Sequence, residues 1–200
     1  MKNKNSGIGE MIKLGIILVF YAVASCTVLA IVNSFTSVKI KQNQIEAANK
    51  AMKEVFSDAD SFESVQNFNS NFGNITISDF YLAKKDGKVC GGVCQVSGPT
   101  YDKGKIIVGV DLNGVITGMQ ILELSDSPGF GLKANDPTFK LPNGNTFYGQ
   151  FTDLKVAEGF TVNQTFDGIS GATITSKAIG DLVSHGTAVI CSYLEENDYE

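Results

Sequence analysis

Residues 105–122 read KIIVGVDLNGVITGMQIL, and the reading of this stretch decides the fold class. Two extended runs, Lys105–Val110 and Val115–Leu122, are rich in β-branched residues, and a strand's period of two puts Ile106, Val108 and Val110 on one face. Asn113-Gly114 between them is a turn dipeptide, so the stretch predicts an antiparallel hairpin. Upstream, Asp86-Gly87 joins Ile75–Leu82 to Lys88–Val96 in the same way, which extends the hairpin to a four-strand meander. Gly91, Gly92, Gly98, Gly104 and Gly109 mark bulges or close backbone approach and blur the strand limits.

Downstream of the hairpin comes Ser125–Gly131, Ser-Asp-Ser-Pro-Gly-Phe-Gly. Pro-Gly is a turn dipeptide, and Gly129 and Gly131 either let Phe130 stand out on a tight loop or flank an ordinary turn whose Phe130 folds into the core. Asn135–Thr152 is a long irregular connection carrying Phe139, Phe147, Tyr148 and Phe151; loops of this length are functional or packed by their own side chains. Lys155–Thr165 is expected to form a further strand pair about Glu158-Gly159.

Asp167–Ser176, Asp-Gly-Ile-Ser-Gly-Ala-Thr-Ile-Thr-Ser, sets four hydroxyls (Ser170, Thr173, Thr175, Ser176) among small residues, just before an apolar-periodic run. That run predicts a final helix over Ser176–Leu194, with Ile179, Leu182, Val183, Gly186, Val189, Ile190, Tyr193 and Leu194 on one face. A slim turn feeding a helix start aims free N–H groups and the positive dipole end at one point, which suits a phosphate. The plainer reading is a turn followed by an N-capped helix, since Ser and Thr are preferred caps.

Leu14–Val32 is 19 residues without a charge or a polar stripe, enough to cross a bilayer at about 1.5 Å per residue. Val23-Ala24-Ser25-Cys26 looks like a lipoprotein box, but cleavage there would strand the apolar residues that follow, so an uncleaved anchor explains more. Lys2, Lys4 and Lys13 precede the span and Lys39 and Lys41 follow it, a slight bias towards an inside N-terminus and an outside domain. Ser37–Phe56 carries Val38, Ile45, Ala48, Met52, Val55 and Phe56 at helical spacings and predicts an amphipathic helix leading out of the membrane. Asp58–Asn74, polar with Phe62, Phe68 and Phe72 as pins, is expected to be an irregular cover.

The chain of 200 residues is 43% hydrophobic with a net charge of -5, and every basic residue is lysine, so nothing resembles the footprint of a nucleic-acid binder. With no arginine, any phosphate must be held by backbone, lysine, hydroxyls or a covalent bond. Cys26 reads as a filler within the span. Cys90 and Cys94, four apart on a strand, share a face at about 13 Å, too far for a disulfide unless the glycines bulge. A disulfide from Cys191 to either stays open. One histidine, His185, and no Cys-x-x-Cys give little support to a metal site or a Ser–His–Asp triad.

Asp167-Gly168-Ile169-Ser170-Gly171-Ala172-Thr173 closely resembles the flavinylation motif of the FMN-binding domain family, Asp-Gly-x-Ser/Thr-Gly/Ala-Ala-Thr, in which FMN is joined through its phosphate to the last threonine. The resemblance implies covalent FMN on Thr173, with Asp167, Ser170, Gly171, Ala172 and Thr175 about it. Lys177, just inside the helix, reads either as a weak ion pair for such a phosphate or as a solvated lysine. Val93–Leu122 looks like that family's central sheet. Asp126-Ser127-Pro128-Gly129-Phe130-Gly131 resembles its Glu-Thr-Pro-Gly-Leu-Gly loop, departing at Asp126, Ser127 and Phe130, and so implies cofactor contacts from Pro128, Gly129 and Phe130. The anchor, the outward helix and Val55-Phe56-Ser57-Asp58-Ala59 are similar to the G subunit of the Rnf electron-transport complex.

The expected fold class is therefore α+β: a single N-terminal transmembrane helix, then an FMN-binding domain with a mainly antiparallel sheet and flanking helices. Its expected parts are a cytoplasmic tail (1–13), the transmembrane helix (14–35), a membrane-proximal helix and cover (36–74) and an extracytoplasmic domain (75–200). The resemblance implies an electron relay in a membrane ion-translocating ferredoxin:NAD oxidoreductase, with no complete active site in this chain. Implied partners are the complex's D subunit with its own flavin, its A and E iron–sulfur membrane subunits, its B and C subunits, and a flavin transferase of the ApbE type. The C subunit of the sodium-pumping NADH:quinone reductase shares the motif but is longer. A membrane-anchored extracytoplasmic binding module without a redox group is the alternative from another class.

Overall fold

The computed structural model describes residues 4–199, with side chains from residue 9 onward except at positions 38, 41, 44 and 45. Lys2, Lys4 and Lys41 of the charge comparison and Val38 and Ile45 of the helical pattern therefore lie outside the described residues or side chains. Residues up to Glu46 and those from Ala47 onward form two compact units. The first helix, α1, runs over Lys4–Val55, so the expected span and outward helix are one element. From Ile16 to Phe72 the chain has no glycine or proline to interrupt it. Gly9–Ser37 is the part long and apolar enough to cross a membrane, 29 residues against the 19 read from the uncharged run, and its most apolar window is fully exposed.

Six strands follow: β1 Ser61–Val65, β2 Asn71–Phe72, β3 Ile75–Lys85, β4 Lys88–Gly98, β5 Gly104–Asp111 and β6 Ile116–Leu124. They pair antiparallel in the order β1-β3-β4-β5-β6, with β2 also on β3. The expected meander is β3–β6. The stretch expected to be irregular instead supplies β1 and β2, whose polar residues pair with β3 at the sheet edge; Phe62, Phe68 and Phe72 are half-buried rather than buried pins. Asp86-Gly87 makes the two-residue hairpin, both with positive φ. The second hairpin is longer: Asp111 N–H donates to Val115 O, and the Asp111 carboxylate accepts the N–H groups of Asn113 and Val115.

Strand alternation gives the sheet two covered faces. Cys94, Val96, Ile106, Val108 and Val110 pack in one cluster with Ile179, Leu182, Val183 and Ile190 of the final helix, α2 (Thr173–Glu196). Ala83, Val93 and Ile107 pack on the other face with Ala51, Met52, Val55 and Phe56 from the end of α1. Cys90 and Cys94 do not share a face, because a bulge between the Ala83–Gly91 and Lys84–Val89 pairs inserts Cys90 as an extra residue. Cys90 faces the α1 cluster, Cys94 is buried towards α2, and all four cysteines are free.

Residues 131–166 carry short 3₁₀ turns at Gly131–Asn135, Gly149–Phe151 and Val156–Glu158. The long connection is packed by its own aromatics: Phe151 lies 5.8 Å from Phe147 and 4.7 Å from Phe166, ring centre to ring centre. No strand pair forms at 155–165. Two isolated bridges, Val115–Lys155 and Val162–Phe166, stand there instead, since Gly159 and Asn163 turn the chain with φ of 67° and 61°.

Glycines let the α1 end lie close on its face. Gly109 and Gly118 are cross-strand partners, and a Cβ on Gly118 would meet the Val55 backbone at 2.9 Å. Gly118→Ala is expected to destabilise the residue 47–200 unit by about 1–3 kcal/mol through overpacking, read as a lower urea midpoint, whereas Gly73→Ala, with nothing within 4 Å but a φ of +68°, tests backbone strain alone.

Candidate functional site

Helix α2 begins at Thr173, three residues before the expected start, so Thr173 is its first residue rather than part of the loop ahead of it. Ala172 precedes it without any side-chain capping bond. The chain reaches that point through a turn in which Ala172 N–H donates to Ile169 O, with Gly171 at φ 79° in the third position. Ser176 N–H already bonds Ala172 O, which leaves the N–H groups of Thr173, Ile174 and Thr175 as those the helix itself does not satisfy.

Burial separates the four hydroxyls. Ser176 is buried, accepting from Ile169 N–H and donating to Ala172 O, both at 3.0 Å. Thr175 is buried, donating to Asp126 Oδ2 at 2.5 Å. Ser170 and Thr173 are exposed. Two of the motif's hydroxyls thus build the turn and two face outward, and Thr173 is the one that sits on the helix end.

The Pro-Gly loop forms a matching turn. Phe130 N–H reaches Ser127 O, with Gly129 at φ 77°, and the Phe130 ring lies against Gly171, where a Cβ would come within 3.2 Å of it. Gly131 has no room for a side chain either: a Cβ there would meet Thr175 Oγ1 at 2.5 Å. Between the turns opens a cleft of about 470 Å³ lined by Tyr101, Ser127, Phe130, Gly131 and Gly171–Thr175. Tyr101, Phe130 and Ile174, 65%, 56% and 60% exposed, are the large hydrophobics exposed among the described residues after α1, and all three line this cleft. Phe130 therefore stands out of its loop.

Behind the cleft, the buried Asp126 carboxylate joins three segments. Oδ1 accepts from Thr100 Oγ1 at 2.5 Å and Asp102 N–H at 3.0 Å; Oδ2 accepts from Thr175 Oγ1 and, at 3.3 Å, Tyr101 N–H. Burial pushes its carboxyl up, but these four bonds together outweigh it and hold the group below the usual carboxylate range.

Asp167, Ser170, Pro128 and Gly129 do not line the cleft, although the resemblance implied contacts from them. Pro128 and Gly129 shape the turn that presents Phe130. Asp167 is held from behind: its N–H donates to Gln150 Oε1, its carbonyl accepts from Gln150 Nε2, and its carboxylate accepts from Asn143 Nδ2. Lys177 is exposed and does not line the cleft. His185 bonds Asp181 O within its own helix and lies beside Phe72. Tyr101, Gln150 and Asn143 carry no motif in the sequence; the Pro99-Thr100-Tyr101 turn ahead of β5 is the one signal for Tyr101.

Thr175→Val removes a donor from a buried carboxylate and is expected to cost about 1–3 kcal/mol in chemical unfolding. A carboxyl whose folded pKa lies below its unfolded value contributes stability that is present above the unfolded pKa, about 3.9, and lost as pH falls through the folded one. The acid limb of wild-type stability should therefore flatten in Asp126→Asn, as read by urea unfolding from neutral pH down to about 3.

Residues 100–187, from the Asp126-linked turn to the middle of α2, match the model of the FMN-binding domain, and residues 1–55 match that of the RnfG N-terminal region. The G subunit of the Na(+)-translocating ferredoxin:NAD(+) oxidoreductase complex of Acetobacterium woodii is 32% identical over 84% of this chain and 85% of its own length. The G subunit of the ion-translocating oxidoreductase complex of Methanosarcina acetivorans is 31% identical over 86% of this chain and 90% of its own. The G subunit of the proton-translocating ferredoxin:NAD(+) oxidoreductase complex of Clostridium ljungdahlii is 28% identical over 76% of each. With an FMN-binding domain behind an N-terminal apolar helix, the chain belongs to the family of G subunits of ion-translocating oxidoreductase complexes.

Proposed function

We propose that this chain is an electron-relay subunit of a membrane ion-translocating ferredoxin:NAD oxidoreductase, carrying FMN esterified through its phosphate to Thr173. The observation that carries the attachment is the position of Thr173: an exposed hydroxyl on the first residue of a 24-residue helix, opening on an apolar-rimmed cleft. A phosphodiester there keeps one negative charge beside three N–H groups and the positive end of the helix dipole. Gly171 and Ala172 keep the approach slim for the maturing enzyme, a flavin transferase of the ApbE type. Ser170 and Asp167 belong to the stretch that enzyme reads.

Bound flavin supplies the electron-transfer chemistry. This chain holds the phosphate at Thr173–Thr175, offers Phe130, Tyr101 and Ile174 as apolar contacts, and keeps the wall behind them rigid through Asp126. Covalent linkage suits a site away from the cytoplasmic cofactor pool. We accordingly read residues 1–13 as a cytoplasmic tail and those beyond the span as extracytoplasmic, with partners among the D subunit, the A and E iron–sulfur subunits and the B and C subunits of the complex. The relatives' names include both sodium and proton translocation, so the ion is a property of the assembled complex in this reading.

Purified from a cell that also makes a flavin transferase, the protein should fluoresce in a denaturing gel and yield a Thr173 peptide heavier by FMN less one water. Thr173→Ala should abolish the fluorescence and keep the urea midpoint of wild type made without the flavin transferase, because the hydroxyl is exposed and has no structural bond among the described residues. A colourless wild type sinks the proposal, and a fluorescent Thr173→Ala moves the attachment to Ser170.

A further inference from the structure

Asp126 lies directly behind the wall of the cleft. A Cβ on Gly131 would meet its Cβ at 2.6 Å and its Oδ2 at 2.7 Å, its Oδ2 takes the Thr175 hydroxyl, and Gly131 and Thr175 both line the cleft. The groups facing it are neutral donors: the hydroxyls of Thr100 and Thr175 and the N–H groups of Tyr101 and Asp102. Lysines pair elsewhere, in Lys50–Glu54 and Lys84–Glu63, and none pairs with Asp126 among the described residues. Hydrogen bonds keep its carboxyl ionised at neutral pH without cancelling its charge. Set back from solvent, such a charge is screened less than one in water and acts over several ångströms.

We propose that the Asp126 carboxylate is a charge-setting residue of this site, holding the potential of the redox group carried in the cleft lower than a neutral side chain would. The inference rests on the flavin reading. An electron added to the ring brings negative charge towards a fixed negative charge, so reduction is made harder; no proton or electron passes to Asp126. A carboxylate at this position would therefore shape what the group can donate to, and the four hydrogen bonds hold the carboxylate in place. Thr100 provides a control of opposite sign, since its hydroxyl donates to Asp126 at 2.5 Å and partly offsets the charge.

The test uses the full chain in detergent, matured by a flavin transferase, with the midpoint potential read by spectroelectrochemical titration of the flavin absorbance. Asp126→Asn should shift the midpoint upward, Asp126→Glu should leave it near wild type, and Thr100→Val should shift it downward. An unshifted or lowered Asp126→Asn overturns the proposal, and so does an Asp126→Glu that moves as far as Asp126→Asn, since geometry rather than charge would then be at work. If circular dichroism shows Asp126→Asn unfolded, the Thr100→Val titration decides: no downward shift overturns the proposal. A wild type that takes up no flavin overturns the attachment at Thr173 and this inference with it; a flavinylated wild type with unshifted variants overturns this inference alone.

Discussion

One buried carboxylate ties together segments that the chain keeps far apart. Asp126 lies 26 residues from Thr100 and 49 from Thr175, yet it bonds both, along with the backbone of the turn between β4 and β5. A carboxylate accepting four hydrogen bonds from two hydroxyls and two amides is satisfied without a cation. These bonds also fix two parts of the cleft, Tyr101 through the turn and the start of α2 through Thr175, while Asp126 itself leads into the loop that carries Phe130. The cleft is built from loops, which are ordinarily the more mobile parts of a fold, and this network makes them behave as one wall.

The sheet explains how the loops come to meet. α2 packs along one face and stops its N-terminal end beside the β4–β5 turn and the exit of β6. Cross-chain ties of a second kind hold the other side of the motif, where the Gln150 amide pairs with the backbone of Asp167 as a strand neighbour would. Phe166, Ile169 and Ala172 are buried, so every third residue of the approach anchors it while Ser170, Gly171 and Thr173 face outward. A turn anchored on its inner side can expose a hydroxyl and still keep its shape.

The meander is legible in the sequence because its signals are local: β-branched runs and the Asp-Gly and Asn-Gly dipeptides say where the chain extends and where it turns. Thr173 is singled out in the sequence only through its resemblance to a motif, since composition leaves four hydroxyls equivalent. What separates them is burial, and burial depends on Asp126 and Ile169, whose contacts with Thr175 and Ser176 no spacing announces. The start of α2 reads three residues late because Thr173, Ile174 and Thr175 are β-branched and look like poor helix formers. Edge strands β1 and β2 hide for the converse reason: polar sequences become strands when β3 offers them partners. The bulge at Cys90 is one extra residue in a ladder, invisible to any rule of alternation yet enough to reverse a face.

The row of glycines beneath the end of α1 bears on how this protein is handled at the bench. Gly109 and Gly118 leave a trough in β5 and β6 that the Val55 turn occupies, and Met52 and Phe56 close over Val93 and Ile107. A water-soluble form made by removing the anchor must therefore keep residues from about Ala47, where the second unit starts, and not from the first strand. Cutting at Asp60 would uncover an apolar sheet face and invite two such molecules to stick together through it. The two units are thus divided inside α1, a few residues short of its end.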